Sequence, residues 1–380
     1  MNSSDNYFRV PWESKEAFPE KPPDSKYGYM IGNKTVSCSR DDLIKHCSDR
    51  SSLFLVWTPE TERLVTPADV PFLFEAIKSN ISKRHWFMLV LGVIFILAWT
   101  VPYAIFGAGD ESMPPLFILS MVFVGLVWVV QTAVSLHRVG KLSPKIMSFQ
   151  SRAFRFNSWL QIRRATYTWL LIGIISVVFV IQNLVGLDQT IMAGGLMGSF
   201  VYRGEYWRII TAPMLHANLL HIIMNISALM ILGKLIEVLC DYAYLTIVFL
   251  ASVVVGSIAS LMMLNESGIS VGCSGGLMGI IGFLAVLGFK RKPALPKSFS
   301  DSMIFTIVLV AVYGAIGYQV IDNAGHFGGL AAGVLLGLIL IDSGETLPLK
   351  PHFLIQALGI ISGLLTLAIS IRTVMIILGL

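Results

Sequence analysis

Ser274 lies in Gly272-Cys273-Ser274-Gly275-Gly276, where an unbroken apolar run begins. His326 lies in Gly325-His326-Phe327-Gly328-Gly329, where another begins. A serine hydroxyl is a weak nucleophile until a base takes its proton, and imidazole is the commonest such base. Ionisable side chains inside membrane segments are rare and usually functional. If the two helix starts meet, Ser274 and His326 form a nucleophile and its base for acyl transfer. A helix start also leaves backbone N–H groups unpaired at the positive end of the dipole. An oxyanion forming beside Ser274 would therefore be stabilised by the same turn that carries the nucleophile. Gly272, Gly275 and Gly276 allow a tight bend and close backbone approach. On its own, Gly-x-Ser-Gly is more often a helix cap with glycines for packing, so the neighbouring residues must decide.

Two further patterns bear on that choice. In His216-Ala-Asn-Leu-Leu-His221-Ile-Ile-Met-Asn225, His221 and Asn225 are four apart and share one helix face. From there they can donate hydrogen bonds into a helix bundle, as oxyanion-binding side chains do. Plain interhelical hydrogen bonding is the alternative. Zinc is disfavoured, because His216 and His221 are five apart and no glutamate completes an HExxH motif. Gly325, Gly329, Gly333 and Gly337 recur every four residues, as do Gly275 and Gly279. Small residues at that spacing let two membrane helices approach closely, which would bring the serine to the histidine. Asp322, four residues before His326, reads as a solvated loop residue, so a dyad is expected and not a triad.

The elements that must position these residues are membrane helices. The chain has 380 residues, 55% hydrophobic and 13% charged, with mean hydropathy +0.72. A soluble domain carries about 25% charge. The fold class expected is an all-α polytopic membrane protein. Apolar runs long enough to span a bilayer fall at about 86–107, 114–136, 167–187, 216–237, 242–264, 274–290, 303–321, 326–342 and 353–377. The first two form a hairpin around residues 107–115. Residues 1–84 are polar and form a small soluble domain without a signal peptide. Within it, Leu53–Val65 reads as two short strands around a turn, and Thr66–Lys78 carries helix signals. A basic linker occupies 138–166, and 342–352 joins a last helix.

The net charge of +5 is no nucleic-acid signature, because the basic residues sit in short loops, where they report orientation. Arg138, Lys141, Lys145, Arg152, Arg155, Arg163 and Arg164 fall in one loop, and Lys290, Arg291, Lys292 and Lys297 in another. Asp110, Glu111, Asp188, Glu266 and Asp322 fall on the opposite side, where the long loop 188–215, with Arg203 and Arg208, is the exception. The rule puts the N-terminus in the cytoplasm and both Ser274 and His326 toward the outer face. Cys38, Cys47, Cys240 and Cys273 include no CxxC pair, so neither a disulfide framework nor a zinc site is expected.

Together, His216-x4-His221-x3-Asn225, Gly272-x-Ser274-Gly275 and Gly325-His326-x2-Gly329 resemble the rhomboid family of intramembrane serine proteases. Trp207-Arg208 matches that family's tryptophan–arginine motif in the first long loop, and Gly233 and Glu237 match the end of its second core helix. The resemblance covers about 167–342 and implies a six-helix rhomboid core. Two extra N-terminal helices, one extra C-terminal helix and the soluble domain would lie outside it. It implies Ser274 as nucleophile, His326 as base, and Asn225, His221 and the Ser274 N–H as oxyanion hole. His216 would be structural near the mouth, Trp207 and Arg208 would brace the long loop, and 265–272 would be a cap over the site. Met278 departs from the aromatic residue usual four positions after the serine. A methionine can still pack on an imidazole. No metal or cofactor is implied. The expected partners are the lipid bilayer and transmembrane protein substrates, at the cell membrane. A catalytically silent rhomboid-like protein that escorts membrane clients predicts a missing serine or histidine. A transporter predicts repeated halves or a charge pathway, and neither pattern is visible.

Overall fold

A computed structural model describes residues 10–23, 26–32, 34–49, 55–106, 115–263, 268–318 and 321–380. The turn of the N-terminal hairpin, with Asp110 and Glu111, lies outside the described residues. So do residues 265–267 of the expected cap, Glu266 among them. The described chain divides into two compact units, Met1–Arg163 with Ala315–Val320, and Arg164–Gly314 with Ile321–Leu380.

The first unit opens with a small antiparallel sheet. Strands β1 (Tyr27–Ile31), β2 (Lys34–Cys38) and β3 (Leu55–Trp57) pair in the order β2-β1-β3, with helix α1 (Arg40–Asp49) between β2 and β3. After β3 the chain turns back, and Val56 and Val65 exchange backbone hydrogen bonds at 2.8 Å. Helix α2 (Phe74–Phe106) then runs 33 residues without a break. It starts about a dozen residues before the apolar run, because its first turns have another core to join. Phe74, Ala76 and Ile77 are buried with Leu43, Cys47, Val56 and Leu73. Its later residues and those of α3 (Pro115–Gly140) form the hairpin, with Gly92 against Val129 and Gly125 against Ile96.

The stretch read as a basic linker contains a helix, α4 (Pro144–Ile162), whose start is capped by the Ser143 hydroxyl. Arginines hid it in the sequence. Here they hold the N-terminal segment: Arg155 donates to the carbonyls of Trp12 and Ser14, and Arg152 pairs with Glu13. Trp12 is fully buried beside Phe156 and Trp159, with ring centroids 4.9 and 5.1 Å away.

The second unit is helical almost throughout. Its elements are α5 (Thr166–Val185), α6 (Leu187–Gly194), β4 (Leu196–Met197), α7 (Gly198–Val201), α8 (Arg208–Thr211), α9 (Leu219–Leu239) and α10 (Tyr242–Met263). They are followed by β5 (Ile269–Ser270), α11 (Ser274–Lys290), α12 (Lys297–Ile316), α13 (Asn323–Leu340) and α14 (Phe353–Leu378). Among the described residues of the whole chain, eight helices are long and apolar enough to cross a membrane. The ninth expected span is α11, apolar but only 17 residues long.

Glycines set the centre of this unit. A β-carbon on Gly329 would stand 2.0 Å from the Gly275 carbonyl oxygen, and one on Gly333 would stand 1.8 Å from that of Gly279. Helices α11 and α13 therefore touch backbone to backbone, on the glycine spacing read from the sequence. Helix α10 closes against both, through Gly256 beside the Gly325 carbonyl and Ala259 beside Gly328. Helix α12 is mostly exposed along its length, and the Asn323 amide, at the start of α13, donates to its Gly314 carbonyl at 2.9 Å. The start of α5 lacks a cap of its own. Glu237, near the end of α9, supplies one, accepting from the Tyr167 N–H, the Thr168 N–H and the Thr168 hydroxyl at 2.7–3.0 Å.

Candidate active site

The glycine contact between α11 and α13 brings their N-terminal ends together. Ser274 is the first residue of α11 and His326 lies in the first turn of α13. The Ser274 hydroxyl and His326 Nε2 are 2.8 Å apart, across 52 residues of sequence. That is hydrogen-bond distance, with both side chains half-buried. His326 Nδ1 is buried and finds no hydrogen-bond partner among the described residues. No carboxylate among the described residues is hydrogen-bonded to that nitrogen. Asp322 differs from expectation. It is half-buried, caps α13 by accepting from the Gly325 N–H at 2.8 Å, and accepts from the Ser270 hydroxyl at 2.6 Å. A helix start leaves donors to satisfy, and the sequence reading gave this carboxylate to solvent instead.

The third cluster converges on the same place. Gly272 has φ +111°, a conformation that only glycine adopts readily. A β-carbon there would stand 2.6 Å from His221 Cε1 and 3.5 Å from Asn225 Nδ2. His221 and Asn225 thus share one face of α9 and point at the backbone two residues before Ser274. Asn225 Nδ2 is buried with no partner among the described residues. A buried amide N–H left unpaired is costly and is suited to an anion that arrives later. Gly275 sits against the Gly325 carbonyl. Met278 is buried one turn below Ser274.

His216 is fully buried before the start of α9. Its ring lies edge-on to His221, with centroids 5.2 Å apart, and Nε2 is 3.8 Å from the Cys273 sulfur. Burial pushes the Cys273 thiol up to about 12, which leaves it protonated and a poor nucleophile.

A residue not singled out in the sequence holds His216 in place. Gln182, fully buried in α5, accepts from the His216 N–H at 2.9 Å and donates to its carbonyl at 3.4 Å. The available signal was an amide in the middle of an apolar span. Arg208 is also buried. It bonds Glu205 at 2.7 Å and the carbonyls of Met192 and Gly195 at 2.9 and 2.7 Å, and it lies over the Phe200 ring. Trp207 directly precedes α8, and its carbonyl accepts from the Thr211 N–H at 2.9 Å. Among the described residues no three His, Cys, Asp or Glu side chains cluster as metal ligands.

Part of the chain is similar in sequence to known proteins. The model of the rhomboid domain matches residues 203–343. RHOMBOID-like protein 6, mitochondrial, of Arabidopsis thaliana is 35% identical over 142 residues, 37% of this chain and 46% of that protein. Rhomboid protease GluP of Bacillus subtilis (strain 168) is 28% identical over 174 residues, 45% of this chain and 34% of that protein. RHOMBOID-like protein 5 of Arabidopsis thaliana is 30% identical over 151 residues, 39% of this chain and 48% of that protein. The chain thus spans about a third to a half of the length of these curated relatives. The matched segment carries Trp207-Arg208, His216, His221, Asn225, Ser274 and His326, and across it this multi-pass membrane protein resembles the rhomboid family.

Proposed function

We propose that the chain is a serine endopeptidase that cuts transmembrane proteins in or near their membrane segments. The observation that carries this reading is the 2.8 Å separation of the Ser274 hydroxyl and His326 Nε2. One of its relatives is named a rhomboid protease.

In the proposed reaction His326, with its proton on Nδ1, takes the Ser274 proton at Nε2 as the oxygen attacks the scissile carbonyl. The tetrahedral oxyanion gains hydrogen bonds from Asn225 Nδ2, His221 and the Ser274 N–H. His326 then gives its proton to the leaving amine, and water hydrolyses the acyl-enzyme by the same path reversed. Substrate approaches laterally from the bilayer. By the positive-inside rule the N-terminus is cytoplasmic and Ser274 and His326 open toward the outer face.

The test is cleavage of a single-span model substrate by purified protein beside Ser274→Ala and His326→Ala. Both variants should lose cleavage while keeping their melting temperature. Cleavage that survives Ser274→Ala refutes the mechanism. A folded, unmutated protein that cleaves no substrate moves the reading to a client-binding role.

A further inference from the structure

A second hydrogen bond lies parallel to the Ser274–His326 pair. Ser270 precedes Ser274 by four residues, and Asp322 precedes His326 by four. The Ser270 hydroxyl donates to Asp322 Oδ2 at 2.6 Å, across the same 52-residue separation. The other carboxylate oxygen, Oδ1, accepts from the Gly325 N–H at 2.8 Å, and the Asp322 backbone carbonyl accepts from the His326 N–H at 3.0 Å. An ordinary helix cap uses one oxygen and stays within its own segment. This carboxylate uses the second to reach a different segment.

Both segments are otherwise anchored. Ser270 pairs with Leu196 in the β4–β5 ladder, and the Gly272 N–H donates to the Ala212 carbonyl at 3.1 Å. The strand that enters Ser274 is thus fixed to the loop side, and Asp322 fixes it to the helix that presents the base. A β-carbon on Gly325 would stand 2.6 Å from Asp322 Oδ2, so the glycine before His326 leaves room for the carboxylate.

We propose that Asp322 is a positioning residue that sets the Ser274–His326 distance. It holds the strand leading to the nucleophile through Ser270, and the first turn of the base's helix through its cap. This rests on the reading of Ser274 and His326 as nucleophile and base. A carboxylate–hydroxyl bond is among the stronger kinds, and small displacements of reacting groups cost large factors in rate.

Ser270→Ala cuts only the tie, because the cap to Gly325 stays intact. Its kcat should fall about tenfold with KM and melting temperature nearly unchanged, and labelling of Ser274 by a small fluorophosphonate should slow equally. Ser270→Thr keeps a hydroxyl and should restore both. Asp322→Asn keeps an acceptor for Gly325 and offers an N–H to the Ser270 oxygen, so it should stay closer to the unmutated protein than Asp322→Ala. A Ser270→Ala protein with unchanged kcat and labelling overturns the proposal. So does a loss that follows the melting temperature and is shared by Ser270→Thr. If the unmutated protein neither cleaves nor is labelled at Ser274, the protease reading has failed. Hydrogen exchange at Val271–Cys273 then decides the tie alone: faster exchange in Ser270→Ala keeps the mechanical coupling, and unchanged exchange overturns it.

Discussion

The carbonyl oxygen of Gly279 lies 1.8 Å from the point where a β-carbon on Gly333 would stand. A single methyl group there must push α11 and α13 apart, because its neighbour is backbone and cannot rotate away. The Ser274–His326 hydrogen bond lies at the N-terminal end of the same contact. Overpacking typically costs about 1–3 kcal/mol. Gly333→Ala should lower the melting temperature and reduce fluorophosphonate labelling of Ser274 in the fraction that stays folded. Full labelling with an unchanged melting temperature would show that the helices are not held this closely.

Glu237 should matter for stability more than for chemistry. It satisfies two backbone N–H groups and one hydroxyl at the start of α5. Removing a charged acceptor from such groups costs about 1–3 kcal/mol. Glu237→Ala should lower the melting temperature, while kcat per folded molecule at low temperature stays near that of the unmutated protein. A selective fall in kcat would assign this residue to the chemistry.

Asn225→Ala tests the proposed oxyanion pocket. Deleting one donor of this kind typically costs about 10²–10³ in kcat. KM should change little, since the bond forms only as charge develops. A rise in KM at constant kcat would instead make Asn225 a substrate-binding group.

The apolar runs and the glycine spacing made the membrane helices and the Ser274–His326 meeting legible in the sequence, because both are periodic along one helix. What escaped lacks a period. Helix α4 was hidden because arginines dilute its apolar face, and the partner that buries its Phe156 and Trp159 is Trp12, more than 140 residues earlier by the Arg155–Trp12 hydrogen bond. Gln182 and His216 meet across 34 residues, by side chain to backbone, which no residue pattern encodes. Asp322 was given to solvent because its partner, Ser270, sits in a two-residue strand too short to read.

Helix α2 has a consequence of its own. It runs unbroken from the core of the small sheet domain into an apolar stretch long enough to span a membrane. At about 1.5 Å per residue, its 33 residues form a rod with no hinge along it. The sheet domain therefore rides on the tilt of a membrane helix. A thinner bilayer that tips the rod should also swing the domain, so that the segment would act as a lever answering to lipid thickness. Two glycines inserted after Ser82 should break that linkage. Spin-label distances between the domain and the rod would then stop following bilayer thickness.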